Sequence, residues 1–218
     1  MILDRDGFGF WSWVAKRAFK ATFTRPDQTL ARERFKSTLI EREVAIYMHF
    51  PFCKGICHFC PYVKTLWNPK LVVKYIEALK AEIRAYGKLL KDLDFKIVDI
   101  HVGGGTPSLL DGQQFREIMD ALVESFDLER EVLAIEANPN DLVDESRVYG
   151  LLKAGVEEVS LGVQSFDALM LRKLGRRHTV EDSLESIELL RDAGLDYLNI
   201  DLMYMIPGQT LDNWLMDL

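Results

Sequence analysis

The chain is 218 residues long, 48% hydrophobic and 28% charged, with a formal net charge of −7. That length suits one domain with a sizeable core, the acidic balance argues against nucleic acid as the main partner because a phosphate-binding surface is basic, and no apolar run approaches the ~20 residues of a membrane helix. Three cysteines, an odd and low count without a signal-peptide pattern, predict a cytoplasmic protein with no disulfide framework.

The head, 1–43, carries nine Lys/Arg against six Asp/Glu. Phe8, Phe10, Trp11 and Trp13, followed by Lys16, Arg17 and Lys20, have the composition of an amphipathic helix at a membrane surface, although a strap packed on its own domain is the plainer reading. The head is set apart as an extension from a body spanning 44–218. In the body, strand-like runs at 44–50, 95–102, 132–137, 158–163 and 197–203 alternate with helical patterns at 69–90, 112–126, 141–154 and 180–193. Gly155 and Gly194 fall where helices are capped at their C-terminal ends. Such alternation predicts an α/β fold of parallel strands with helical crossovers. Five βα units are expected, with one more helix starting near Thr210. An eight-unit barrel takes ~250 residues, so the expectation is a partial (β/α) barrel that stops short of its next strand.

Cys53, Cys57 and Cys60 occupy eight residues directly after the first strand. Three thiols on one loop can converge on a metal or an iron–sulfur cluster, and because a four-iron cluster ordinarily takes four cysteines, three would leave one iron open for chemistry. A zinc site with His58 as fourth ligand is the competitor, but His58 lies between two of the cysteines with little room to reach the same ion. Small buried hydrophobes are the bland alternative.

The remaining polar motifs fall at the C-terminal ends of predicted strands, the edge where α/β sheets bind ligands. Gly103 to Gly105 reads as a tight turn or as a close approach of backbone to ligand, and without a following Gly-Lys-Ser/Thr it is not a phosphate loop. Glu136 and Asp201 read as capping carboxylates or as ligand acceptors, and Gln164 as a satisfied strand-end amide or a ligand contact. Arg176 reads as a solvated charge or as the partner of a carboxylate.

Tyr47-Met48-His49-Phe50-Pro51-Phe52-Cys53 with Phe59-Cys60, Gly103-Gly104-Gly105-Thr106-Pro107-Ser108, Ile135-Glu136-Ala137-Asn138-Pro139, Ser160-Leu161-Gly162-Val163-Gln164-Ser165-Phe166, Leu174-Gly175-Arg176-Arg177-His178 and Ile200-Asp201-Leu202-Met203-Tyr204 together resemble the radical S-adenosylmethionine superfamily. Within it they resemble the oxygen-independent coproporphyrinogen III oxidase-like branch, and the stretch from Leu174 to Thr210 is most similar to its haem-chaperone-like members. The resemblance implies a six-unit open barrel, a 4Fe–4S cluster on Cys53, Cys57 and Cys60, and S-adenosylmethionine, in one copy or two, chelated at the open iron. It also implies that Glu136 and Asp201 hydrogen-bond the ribose hydroxyls or ammonium of that cofactor, that Gln164 contacts the nucleoside, and that Arg176 pairs with the methionine carboxylate. Phe59 would lie beside the adenine and Tyr47 at the strand end beneath it, with Gly104, Gly105 and Thr106 in the same cavity.

The implied reaction is one-electron cleavage of the sulfonium bond to a 5′-deoxyadenosyl radical, which takes hydrogen from a small substrate, a tetrapyrrole or haem, with flavodoxin or ferredoxin as electron donor. No acid or base is assigned, and His49, His101 and His178 read as structural. Two features depart from the pattern. Tyr62 stands where coproporphyrinogen oxidases place a further cysteine and haem-chaperone-like members an aromatic, and Met205 stands where glycine is common. Two functions therefore stay open: a radical enzyme acting on a tetrapyrrole, with methyl transfer as a variant, and a haem-binding protein that delivers haem. Because the chain ends at Leu218, the expectation is that this length assembles the cluster loop without turning over its physiological substrate.

Overall fold

The computed structural model describes residues 27–38, 43–128 and 132–218; the amphipathic helix predicted within 8–20 lies outside them. The chain divides into two units, Met1–Ile40 and Glu41–Leu218. In the first, helix α1 (Gln28–Thr38) is capped by the Asp27 carboxylate, which accepts from the amides of Thr29 and Leu30 at 2.8 and 3.0 Å, as an N-cap does.

The second unit begins with strand β1 (Glu43–Phe50), followed by two short strands, β2 (Phe52–Cys53) and β3 (Thr65–Leu66), that pair only with each other. Helix α2 (Pro69–Leu90) leads to β4 (Lys96–Gly104), α3 (Gly112–Ser125) to β5 (Val132–Ala137), and α4 (Glu145–Lys153) to β6 (Val156–Gln164). Two helices, α5 (Ala168–Leu174) and α6 (Val180–Asp192), precede β7 (Tyr197–Leu202), and α7 (Leu211–Asp217) follows it. The large sheet is parallel throughout, in the order β1-β4-β5-β6-β7. Among the described residues no helix is long and apolar enough to cross a membrane.

Side chains alternate across each strand, and this alternation separates two chemistries. One face holds Met48 and Phe50 of β1, Ile100 and Val102 of β4, Leu133 and Ile135 of β5, and Val159, Leu161 and Val163 of β6, all buried in one core that includes Val72 and Ile76 of α2 and Phe115 and Ile118 of α3. The other face carries Tyr47, His101, Glu136, Ser160, Asn199 and Asp201, which meet as neighbours: the Tyr47 and His101 rings stack at 5.9 Å, and Asn199 donates to Asp201 Oδ1 at 3.0 Å. Parallel sheets usually bury apolar residues on both faces. A polar second face marks the hollow of a barrel rather than a covered core layer.

Local signals place the helices. Asn68 caps α2 ahead of Pro69, and Asp111 with Gln114 and Thr179 with Asp182 form capping boxes at α3 and α6, the pattern that fixes helix starts. The helix predicted over 141–154 starts at Glu145 instead, because Pro139–Asp141 makes a 3₁₀ turn and the Asp144 side chain caps the following segment. α5 is absent from the periodicity of the sequence, since seven residues span too few turns to show an apolar stripe. Its ends carry ordinary signals nonetheless: Asp167 caps the start, and Gly175 takes φ +71° at the finish.

The junction of β1, β2 and β4 is tightly packed. Gly105 donates to Phe50 O at 2.7 Å, and a Cβ at this position would stand 2.6 to 2.7 Å from Phe50 O, Phe52 O and the Pro51 carbonyl carbon. Those atoms are backbone and cannot rotate away. Gly105→Ala is therefore expected to destabilise the fold by about 1–3 kcal/mol through overpacking, read as a lower urea midpoint; an unchanged midpoint would show that this junction yields freely.

Candidate functional site

The cysteine loop leaves β2 and returns through β3, so its two ends are clamped by main-chain bonds: Thr65 donates to Pro51 O at 2.7 Å and Trp67 to Cys53 O at 2.8 Å. Between those ends, the His49 ring bonds Val63 O at 2.8 Å, and Arg177 donates to Lys54 O at 3.0 Å. His58 sits against the C-terminal end of α5, its amide donating to Leu174 O at 3.1 Å and its ring bonding Lys173 O at 3.2 Å. His58 is thereby a fastener of the loop, and it does not line the cavity beside the thiols. All three cysteines are free, Cys53 buried and Cys57 and Cys60 half-buried. Burial pushes the Cys53 thiol up, against the opposing Thr106 hydroxyl, which donates to its Sγ at 3.4 Å, and the nearby Lys64 ammonium.

A cavity of about 200 Å³ opens beside the thiols at the C-terminal edge of the sheet. Cys53, Cys57, Phe59 and Cys60 form one side of it, and Gly104, Gly105 and Thr106 follow from the end of β4. Glu136 from β5, Gln164 from β6, Asp201 from β7 and Arg176 after α5 complete the set. Eleven of the twelve residues singled out in the sequence thus line one cavity. The twelfth, Tyr47, does not line it: its side chain is 57% exposed, stacked on His101, with its hydroxyl 3.1 Å from His49 Nδ1.

The glycines make room mainly for the protein's own groups. A Cβ on Gly103 would come within 2.7 Å of Glu136 Oε1, and one on Gly104, already at φ +108°, within 2.3 Å of the His49 ring. Glu136 is consequently drawn up to the turn, where Oε2 accepts from the Gly104 amide at 2.9 Å and Oε1 lies 3.6 Å from His101 Nε2. The separation from His101 is that of an ion pair rather than a hydrogen bond. His101 holds the Glu136 carboxyl below its ordinary range against the effect of burial, and Glu136 in turn raises His101. Burial first, and the Glu136 charge second, push Asp201 up. Gln164 takes φ +72°, the left-handed region that costs a residue with a Cβ.

Arg176 bridges several pieces of the wall. Its Nη2 donates to Asn138 Oδ1 and to Gly162 O, each at 2.6 Å, and Nη1 lies 3.5 Å from Cys57 Sγ. Nε donates to His178 Nδ1 at 3.3 Å, and His178 Nε2 bonds Val163 O at 3.0 Å. Burial, reinforced by the neighbouring guanidinium, drives His178 down to about 4 and keeps it neutral, as those two bonds require. The fork predicted for a ligand carboxylate is therefore largely engaged by protein, and Nη1 is the nitrogen left to face the cavity. Asn138 continues the chain of contacts by donating to Thr106 Oγ1 at 3.1 Å.

Four further lining groups were not among the site residues expected from the sequence. Asn138, Ser160, Lys64 and Tyr62 also border the cavity. Ser160 was accessible in principle, since it shares strand parity with Gly162 and Gln164. Lys64, which donates to Cys60 O and Tyr62 O, had no local signal.

The donor set fits a four-iron cluster better than a single ion. Among the described residues no group of three His, Cys, Asp or Glu side chains closes on one point as a lone metal requires. A four-iron cube imposes no such convergence, because each thiolate meets a different iron. Across the cavity, Glu136 and Asp201 suit a cationic ligand carrying hydroxyl or ammonium donors.

A family model described as the Radical SAM superfamily matches residues 47–218. The haem chaperone HemW of Lactococcus lactis is 38% identical over 175 residues, covering 80% of this chain and 44% of that protein. The oxygen-independent coproporphyrinogen III oxidase of Paracoccus denitrificans is 33% identical over 168 residues, covering 76% of this chain and 37% of that protein. Among solved structures, the radical SAM enzyme coproporphyrinogen III oxidase (HemN) of Escherichia coli superposes with a TM-score of 0.76 at 28% identity, over 85% of this chain and 43% of that one. The chain thus spans less than half the length of the curated relatives it matches.

The His101–Glu136 pair sets a pH window. His101, raised above 6.5, contributes stability fully below that value and loses it as pH rises through the elevated one; Glu136, lowered below 4.5, contributes fully above that value and loses it as pH falls through the depressed one. Both contributions are complete only between pH 4.5 and 6.5. His101→Gln should lower the unfolding midpoint most within that window and less at higher pH. A deficit of equal size at every pH would assign the loss to the Tyr47 stack instead.

Proposed function

The chain belongs to the radical SAM superfamily, and from that membership we propose that Cys53, Cys57 and Cys60 hold a 4Fe–4S cluster beside a cavity that binds S-adenosylmethionine, in the service of haem or tetrapyrrole metabolism. The observation that carries this is one cavity with three free thiols and two carboxylates in its lining, Arg176 standing beside Cys57 among them. When bound, the cluster and S-adenosylmethionine together supply one-electron cleavage of a sulfonium bond, chemistry that no side chain provides.

The chain's own residues bind and orient. Cys53, held as a thiol by its burial, releases its proton when metal replaces it. Glu136, fixed by the Gly104 amide and His101, presents a charged acceptor toward hydroxyl or ammonium groups, and Asp201 offers a second acceptor from β7. Their negative charge complements a sulfonium. Arg176 directs Nη1 to the region between Cys57 and the ligand carboxylate. Phe59, packed with Met170, Leu174, Ile206 and Met203, supplies an apolar surface for an adenine ring. Tyr47, by contrast, acts from beneath, steadying His101 and His49. A small electron-transfer protein of the flavodoxin or ferredoxin kind delivers the electron.

A second reading, haem delivery, is favoured by Tyr62, which borders the cavity with 62% of its surface exposed, and by the HemW relatives. Methyl transfer with a second S-adenosylmethionine is the remaining variant. Product analysis separates them: an enzyme forms 5′-deoxyadenosine in step with altered substrate, whereas a chaperone retains haem without stoichiometric product.

Anaerobic reconstitution should load about four irons and four sulfides per chain, and Cys53→Ala, Cys57→Ala or Cys60→Ala should each abolish a stable cluster. Zinc in protein purified anaerobically, or a cluster that survives any one substitution, would defeat the assignment. Arg176→Lys should retain the cluster yet weaken S-adenosylmethionine binding by about tenfold, since one ammonium cannot hold Asn138 and Gly162, meet His178 and face the cavity at once, as Nη2, Nε and Nη1 do. Equal affinity in an equilibrium titration would make Arg176 dispensable to the cofactor.

A further inference from the structure

We infer that Asp217 is a positioning residue for the cofactor cavity, acting through the loop after β6 to aim Gln164 and, by way of α5, Arg176. This rests on the proposed reading of the cavity as the S-adenosylmethionine site. Asp217 does not border the cavity itself. Its influence has to run through other groups.

The need for such a residue begins at Gln164. A non-glycine residue at φ +72° costs of order 1–3 kcal/mol and persists only where the surroundings over-determine it. One side of Gln164 is held by the Met203 amide, which donates to its carbonyl at 2.8 Å. On the other side, Ser165 Oγ donates to both Asp217 oxygens, at 3.1 and 2.9 Å, and the Phe166 amide donates to Oδ1 at 2.6 Å. Ser165 is fully buried and Asp217 is 5% exposed, so water does not compete for these bonds.

The same grip extends to α5. Ser165 Oγ accepts from the Asp167 amide at 3.1 Å, Asp167 Oδ1 caps α5 at Leu169 and Met170, and Asp167 Oδ2 accepts from Asn213 Nδ2 at 3.0 Å. Asn213 and Asp217 are four apart on α7, and therefore on one face. That face clamps the start of α5, whose other end is followed within two residues by Arg176. Gln209 closes the arrangement by donating to Asp217 Oδ2 and to Met203 O, each at 3.4 Å, which ties in the loop just beyond Asp201. All four bonds to the Asp217 carboxylate come from uncharged donors. A buried carboxylate held by neutral dipoles is costly to desolvate, and its result is a fixed path for the two loops that follow Gln164 and Asp201.

The test uses the full chain with its cluster reconstituted, comparing wild type with Asp217→Ala, Asp217→Asn and Ser165→Ala. Asp217→Ala should weaken S-adenosylmethionine binding about tenfold with iron content unchanged, and should speed amide exchange selectively in 164–167 and 175–178 while β1 and β4 keep their protection. Asp217→Asn, which retains one acceptor for the Phe166 amide, should fall between wild type and alanine. A merely structural role predicts instead a uniform rise in exchange, loss of iron and no intermediate behaviour for asparagine, and that result overturns the proposal. So does unchanged exchange in 164–167. Should Asp217→Ala not fold, Asp217→Asn and Ser165→Ala carry the same comparison. If wild type itself does not bind S-adenosylmethionine, the cofactor reading fails, while the exchange pattern still decides whether Asp217 fixes the loop.

Discussion

The Arg176 guanidinium joins pieces of chain that the sheet alone would leave independent. Through Nη2 it holds Asn138, just beyond β5, against Gly162 in β6; through Nε it meets His178; and Nη1 turns to Cys57 in the cysteine loop. Charge-assisted bonds of this kind are stronger and more directional than neutral ones. The loop that carries the thiols is anchored as well at its ends, at Lys54 by Arg177 and Asp141, and at its back, where His58 meets α5 and His49 meets Val63. With Arg176 in place, thiols and carboxylates face one volume. His178 serves this arrangement as a neutral acceptor, since a protonated ring could not accept from Nε.

That cavity exists because the sheet is apolar on one face only. Helices cover the buried side, and the opposite side is left to Ser160 and to His101, Glu136 and Asp201, whose charges act on one another. Glu136 is stabilised as an anion by His101 and a backbone amide, whereas Asp201 is pushed up by burial and by Glu136 itself. Two carboxylates on one wall repel each other, and the repulsion falls when a cation enters. A site already strained in this way gains more from a sulfonium or ammonium than a neutral one would.

Much of this was legible in the sequence. The five strands, the four helices between them, the start of α7 near Thr210 and the glycine ends at Gly155 and Gly194 follow from period and punctuation, and the clustered cysteines pointed to the cavity. The twelve candidates came partly from residue chemistry and partly from family resemblance, and the cavity gathers all but Tyr47, which shares the polar face but is set by the β1–β4 register opposite His101, where the two rings stack. Other features are set by contacts across the fold. α5 is too short to show a period, the β2–β3 pair is two residues long, and Asp217 reaches Ser165 across 52 positions. Gln164 and Met205, at φ +72° and +60°, carry no sequence mark of their backbone state. The absence of glycine at 205, visible as a departure from the family pattern, is the nearest thing to one.

The central claim is that the thiols and the polar cavity form a single site. The reduced protein's electron paramagnetic resonance spectrum, recorded with and without saturating S-adenosylmethionine, tests it most directly because it reports on the cluster while the ligand occupies the cavity. A changed spectrum, lost in a variant such as Glu136→Ala that still holds iron, is the predicted result. An identical spectrum at a concentration shown by titration to fill the protein would place the ligand away from the thiols and contradict the account.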